Sequence, residues 1–314
     1  MSFSSLKVPL IELNLSLTLR SGQCFRWRRR SEKNKDGLEV WVGVVKGHVL
    51  SLVQDQDQNM IHYEFLNKRH GDKRIKVDEE EFLRNYFQLH TSLTDLYKHW
   101  SDVDPVFKKT AAKFPGVRVM NQDPVENVFS FICATANNIK RIQKMVEAMC
   151  LEFGDHLFDD PEFGPLHAFP SVESLSKETV TPALTRLGFG FRAKYISCSA
   201  KMIISGGIKP LETLSSPSTP SHETRTELMK LSGVGKKVAD CISLFSMAKT
   251  EPIPVDTHVY QIACKLYKMK GLDPNKSNSV SDKKYKEIAN FFQTLFGSHA
   301  GWAHSVLFTA DLKL

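Results

Sequence analysis

Valine and other branched residues crowd the early part of the chain, and a helical repeat replaces them later. The stretch "VWVGVVKGHVLSLVQ" (Val40 to Gln54) is dense in valine and partly alternating, with Gly47 as a turn signal. "MIHYEFL" (Met60 to Leu66) follows. Both predict β-strands. "SEKNKDG" (Ser31 to Gly37) predicts a hairpin loop. The opening "MSFSSLKVPLIELNLSLTL" predicts the first strands of the fold. "EEEFLRNYFQL" and "SLTDLYKHWS" predict two helices before the pattern changes.

From Pro115 the apolar period is helical. "DPVENVFSFICA" offers Asp123 as N-cap, Pro124 at the first helical position and Glu126 at the third, with Val125, Val128, Phe129 and Ile132 on one face. After Asn137 and Asn138, a helix places Ile139, Ile142, Met145, Val146, Met149 and Phe153 on one side, and Gly154 ends it. A third helix is expected after "LGFGFRAKY". "TLSSPSTPSHETR" (Thr213 to Arg225) predicts a flexible loop, a helix is expected from Asp256, and "DPNKSNSVSDKK" (Asp273 to Lys284) predicts a polar loop. A last apolar stretch holds "GWAHSVLFTADL", and no internal repeat is visible.

Composition narrows the class. With 314 residues, 41% hydrophobic and 25% charged, a folded chain of one large or two to three ordinary domains is expected. The net charge of +7 suits a polyanionic partner, most simply nucleic acid, or a merely basic soluble protein. The six cysteines (Cys24, Cys133, Cys150, Cys198, Cys241, Cys264) include no C-x-x-C pair or compact cluster. They are read as buried free thiols in a reducing compartment, with no metal centre. No run of 18 apolar residues predicts a membrane span, and the N-terminus lacks the pattern of a signal peptide.

The chemistry concentrates in "LSGVGKKVADC" (Leu231 to Cys241). A short helix at about Thr226 to Lys230, a Gly233-Val-Gly235 turn and a second helix at about Lys236 to Met247 form a helix–hairpin–helix. Its glycines allow the tight turn, and the N–H groups opening the second helix suit a DNA phosphate. Lys236 aligns with Asp240, on a solvated, DNA-facing or ion-paired surface. Lys237 aligns with Cys241 and Phe245 on a soft, apolar face. Burial and the helix N-terminus would depress its pKa and free a nucleophilic amine. A second phosphate-binding lysine is the equal alternative from geometry alone. Asp256 in "EPIPVDTHVYQIA" breaks the tie: besides capping a helix, it can hold negative charge beside a reacting sugar carbon.

"LSGVGKKVADC" with "PVDTH" resembles the helix–hairpin–helix DNA glycosylases, specifically the eukaryotic 8-oxoguanine DNA glycosylase/abasic-site lyases. "SGQCFRWR", "FSFICATANNIKRI", "LGFGFRAKY" and "AGWAHSVLFTADL" extend the resemblance nearly end to end. It implies an α+β fold: an N-terminal antiparallel β-sheet domain (1–114), then two all-helical domains (115–314) carrying the helix–hairpin–helix at about 226–247. It implies Lys237 as nucleophile and Asp256 as catalytic carboxylate. Gly22 would offer its carbonyl to the N7–H of the oxidised guanine. Phe308 and Cys241 would sandwich the flipped base, with Phe245 and His304 also in the base pocket. Phe191 would wedge into the vacated gap, and Arg141 and Arg192 would read the stranded cytosine. His258, supported by Asp311, would touch phosphate beside the lesion, and Asn137, Asn138, Gly233, Gly235 and Lys236 would lie on the DNA-binding face. The implied partner is double-stranded DNA containing oxidised guanine, bound by a monomer without cofactor, metal or membrane. Nuclear residence follows from that function, with a mitochondrial location open.

Three departures from the family stand out. Ala136 occupies the first position of the family's Asn-Asn-Asn. His304 replaces a glutamine that reads the Watson–Crick edge, and Phe191 replaces a tyrosine. Ala136 and His304 keep open a relative with another damaged base as substrate. Endonuclease III-type relatives usually carry a four-cysteine cluster near the C-terminus, and no cysteine follows Cys264. A non-catalytic DNA clamp is the alternative of a different class; the pairing of Lys237 with Asp256 argues against it.

Overall fold

A computed structural model describes residues 3–67, 78–273 and 280–312. Five strands, β1 (Ser4–Lys7), β2 (Trp27–Arg29), β3 (Val40–Val45), β4 (His48–Asp55) and β5 (Met60–Phe65), form an antiparallel sheet in the order β1-β5-β4-β3-β2. Lys46 and Gly47 both have positive φ, 48° and 80°, the conformation of a two-residue turn that matches strand twist. The valine run alternates as its period predicts. Trp41 and Val45 enter one core, while Val42 and Val44 enter a second beneath Leu166.

The opening segment corrects one expectation. Only Ser4–Lys7 is a strand; Leu15–Arg20 is helix α1. The leucines at 13, 15, 17 and 19 mimic a period of two, but the Asn14 side chain accepts from the Leu17 N–H and starts a helix.

Helices α2 (Glu79–Tyr86), α3 (Leu93–Val103), α4 (Pro105–Ala111), α5 (Pro124–Ala134) and α6 (Ile139–Phe153) follow. Asp123 caps α5 through the Glu126 N–H, as its sequence demands, and Asn138 caps α6 through the Arg141 N–H. Between α6 and the later helices lies a small hairpin, β6 (His156–Asp160) with β7 (Gly164–His167), then α7 (Val172–Ser176) and α8 (Val180–Arg186). The hydrophobic pattern reveals neither the hairpin nor these two short helices. Helix α9 spans Arg192–Ile204, so it begins inside "LGFGFRAKY" rather than after it.

The stretch from Thr213 to Arg225 is not a flexible loop. Helix α10 (Leu211–Ser215) overlaps its start, and α11 (Ser221–Leu228) opens behind Pro220. Buried Thr224 bonds the Leu214 carbonyl across the turn. The first helix of the hairpin motif therefore begins earlier than Thr226. Helices α12 (Lys236–Ser246), α13 (Thr257–Lys265), α14 (Asp282–Phe296) and α15 (Ala300–Asp311) complete the chain. Residues 274–279 of the expected polar loop lie outside the described residues. All six cysteines are free, but Cys198 is exposed and Cys264 only half-buried, against the expectation of burial.

A sheet followed by helices makes the fold α+β. Its helical core runs through α3 to α15 and includes Phe25 from the sheet end of the chain. Buried Arg118 helps to join the two parts: its guanidinium reaches Glu12, Gln88 and Thr91.

Candidate active site

The hairpin turn aims α12. Gly233 has φ +81°, and a Cβ there would lie 2.4 Å from the Tyr195 ring, so glycine is required. Gly235 is the N-cap and supplies no side-chain bond to the first-turn N–H groups. The two lysines then diverge. Lys236 ion-pairs with Asp282 at 2.6 Å on the surface. It does not share a solvated face with Asp240, which is buried and bound by Arg225 and Tyr285. Lys237 points inward, its Nζ 5.6 Å from the centre of the Phe131 ring.

Lys237 lines a cavity of about 40 Å³ with Gly22, Cys241, Asp256, His304 and Phe308. Each wall has a local cause. Gly22 sits at φ +79°, where a Cβ would meet Ile139 at 3.3 Å. Its turn is pinned by buried Gln23, whose side chain donates to the Arg118 carbonyl (2.8 Å) and accepts from the Met120 N–H (2.9 Å). Asp256 caps α13, its Oδ1 accepting from the Val259 N–H at 3.0 Å. Helix α15 comes close to α12 because residue 301 is glycine: a Cβ there would lie 2.6 Å from Leu244. That approach delivers His304 and Phe308, one turn apart, into the cavity.

The electrostatics correct one expectation. Burial is the largest single influence on Lys237 and lowers its pKa. Cys241, which is charged only at high pH, the Asp256 carboxylate and a hydrogen bond to Cys241 outweigh it and hold the pKa above the ordinary lysine value. The helix start and desolvation alone would have freed the amine; the acidic partners reverse the sign. Burial pushes the Cys241 thiol up to about 11, so it is neutral at pH 7. Burial also lowers His304 to about 4, leaving a neutral imidazole. Both ring nitrogens of His304 are buried without a protein hydrogen-bond partner. Such a group costs free energy unless something in the cavity pairs with it.

A wider mouth of about 500 Å³ opens outside and includes Asn137, Asn138, His258 and again Phe308. Phe308 therefore borders both spaces. The inner cavity holds no more than a few waters, so a base enters only if these walls move. His258 bonds Asp311 at 2.6 Å, as the resemblance implied.

Phe191, Arg192 and Arg141 gather around the turn between α5 and α6. Phe191 is 51% exposed, and the Arg192 guanidinium lies 4.4 Å from its ring centre. Arg192 is buried and donates to the carbonyls of Thr135 and Ala136. Exposed Arg141 reaches the Gly188 carbonyl at 3.4 Å. The asparagines are tied into the turn: Asn137 donates to the Cys133 carbonyl, and Asn138 is the N-cap of α6. Ala136 has φ +48°. Phe245 lines the inner cavity and stacks on Phe131 at 5.7 Å. Phe131, Ser21, Pro254 and Ser305 also line it and were not singled out from the sequence. Phe131 is one residue from Ile132 and reads as core; no local signal marks it.

A half-buried lysine behind a helix–hairpin–helix turn, lining one cavity with an N-cap aspartate, defines a base-excision glycosylase of the helix–hairpin–helix class. The comparisons agree. Residues 5–128 match "8-oxoguanine DNA glycosylase, N-terminal domain", and residues 129–288 match "HhH-GPD superfamily base excision DNA repair protein". The chain is 36% identical to the Arabidopsis thaliana N-glycosylase/DNA lyase OGG1, covering 98% of this chain and 80% of that protein. It is 31% identical to the Saccharomyces cerevisiae N-glycosylase/DNA lyase, covering 99% and 86%. The Clostridium acetobutylicum 8-oxoguanine glycosylase/lyase, solved with double-stranded DNA containing cytosine opposite 8-oxoguanine, superposes with TM-score 0.79 at 29% identity, covering 100% of this chain and 98% of that one. The chain belongs to the HhH-GPD superfamily of base excision DNA repair proteins, in its 8-oxoguanine N-glycosylase/DNA lyase branch.

Proposed function

We propose that this protein excises 8-oxoguanine opposite cytosine from double-stranded DNA and then cleaves the strand, acting as a monomer. The observation that carries this reading is Lys237 and Asp256 on one small cavity. The free Lys237 amine attacks C1′ of the flipped nucleotide. The C1′–N9 bond breaks, its electron pair leaves with the base, and the base takes up a proton. Asp256 stabilises the positive charge that develops on the sugar. The bound nitrogen gives up a proton, its lone pair forms the C1′=N bond as the C1′–O4′ bond breaks, and O4′ takes up a proton, leaving a Schiff base. Removal of a C2′ proton then expels the 3′ phosphate, and water releases the lysine.

The base would lie between Phe308 and Cys241, with the Gly22 carbonyl accepting its N7–H. His304 would gain partners for its orphaned nitrogens: a neutral imidazole offers one donor and one acceptor. The uncapped start of α12 and His258 suit phosphates. Base release from duplexes carrying 8-oxoguanine opposite each of the four bases, with borohydride trapping, tests the reading. Release without a covalent adduct would remove the lysine from the mechanism. Neither release nor adduct would leave a DNA clamp.

Ala136 bears on the opposite base. Arg141 and Arg192 would donate to the acceptor edge of the stranded cytosine, while the alanine supplies no polar contact. A good base contact supplies about 1–3 kcal/mol of discrimination. Ala136 has φ +48°, a region that asparagine tolerates better than alanine, so Ala136→Asn fits the backbone. The variant is expected to raise the cytosine-to-adenine excision ratio roughly tenfold, equivalent to about 1.4 kcal/mol. Lyase activity on a preformed abasic site should stay nearly unchanged. Single-turnover excision opposite the two bases reads the ratio; an unchanged value means that position 136 does not contact the orphaned base.

A further inference from the structure

Helix α14 supplies no wall of the inner cavity, yet its first turns hold α12 on both sides of Lys237. Asp282 pairs with Lys236 at 2.6 Å. One turn later, the Tyr285 hydroxyl lies 2.5 Å from Oδ2 of Asp240. Asp240 is 1% exposed, and Arg225 grips it from α11 through Nε and Nη2, at 2.6 and 2.7 Å. The Tyr285 oxygen also accepts from the Val255 N–H at 3.3 Å.

A phenol has one proton. The short bond to a carboxylate is the strongest use for it, so the Ile253 carbonyl, also 3.3 Å away, receives none. The hydroxyl thus donates to the helix of the lysine and accepts from the segment of the aspartate. Asp240 stands three residues after Lys237, within one turn of the same helix. Val255 stands one peptide before Asp256. No other described hydrogen bond from α14 joins both segments. A buried ion pair contributes little net stability against an apolar replacement; what this one fixes is geometry.

We propose that Tyr285, anchored by Asp240 and Arg225, is a positioning residue that sets the Lys237 amine against the Asp256 carboxylate. The proposal rests on the reading of those two as the catalytic pair. Tyr285 touches no reacting atom. Displacement of a reacting group by about 1 Å costs on the order of a hundredfold in rate, and removing one of several constraints is expected to cost less.

The test is Tyr285→Phe, which keeps the packed ring and removes only the hydroxyl. Single-turnover excision per active site is expected to fall about tenfold, with the DNA concentration for half-saturation unchanged within about twofold. Borohydride trapping on a preformed abasic site should slow by the same factor, because the same amine must be placed. Asp240→Asn interrupts the same link, so the double variant should be no slower than the slower single variant. A purely structural role would lower the thermal midpoint and the titrated active fraction and leave the rate per active site at the wild-type value. That result overturns the proposal, as does a wild-type rate in Tyr285→Phe or additive losses in the double variant. Absence of excision and trapping in the wild-type protein overturns the catalytic reading itself.

Discussion

Lys237→Gln is expected to abolish base excision and borohydride trapping while largely retaining lesion binding. Glutamine fills most of the same space but has no amine to form a Schiff base. Loss of the essential nucleophile should cost at least about a thousandfold in single-turnover rate, the scale seen when an essential group is removed. Lys236→Gln is the contrast. That lysine lies on the surface with Asp282, so its loss should leave trapping intact and weaken binding. If it contacts a phosphate, the salt dependence falls by about one unit. Full trapping by Lys237→Gln would reassign the nucleophile.

The raised pKa of Lys237 adds a pH dependence. Below that pKa the amine is protonated and cannot attack. The reactive fraction grows up to about tenfold per pH unit, so wild-type excision should rise from about pH 6 to pH 8.5 if the amine limits the rate. A rate that falls over this range would contradict the cause assigned here.

Asp256→Asn is expected to reduce excision by roughly a hundredfold or more, the scale of losing a preorganised electrostatic partner. The fold should survive. Asp256 caps α13 by accepting from the Val259 N–H, and asparagine can make the same bond, so the stability loss should be about 1 kcal/mol or less. The two roles therefore separate: the cap needs an oxygen, whereas the reaction needs its charge. The carboxylate also raises the pKa of Lys237. Its removal should shift the rising limb of the pH profile toward lower pH even as the overall rate drops. Single-turnover rates across pH, with thermal midpoints alongside, check both parts. Equal activity of the asparagine variant would reduce Asp256 to a cap.

The sequence determined the elements whose signals are local. The valine-rich stretch marked β3 and β4, "MIHYEFL" marked β5, Asp123 and Asn138 marked the starts of α5 and α6, and the glycines marked the hairpin before α12. It also separated the two lysines, because helix periodicity turns neighbours to different faces. Where a local pattern was ambiguous, the reading failed. The alternating leucines of α1 looked like a strand, and the Ser- and Pro-rich start of α11 looked like a loop.

Only the tertiary structure decided the charge state of the site and the company of each residue. The sequence aligned Asp240 with Lys236, one helical turn on, and gave it no partner of its own. Packing of α11 and α14 instead buries it between Arg225 and Tyr285. Lys237 read as an amine with a depressed pKa because burial and helix position are visible along one helix. The partners that reverse the shift include Asp256, nineteen residues away in sequence. Phe131 and the orphaned nitrogens of His304 were invisible for the same reason. Periodicity fixes which way a side chain points on its own element, but electrostatic and packing energies depend on distances between elements that no local pattern encodes.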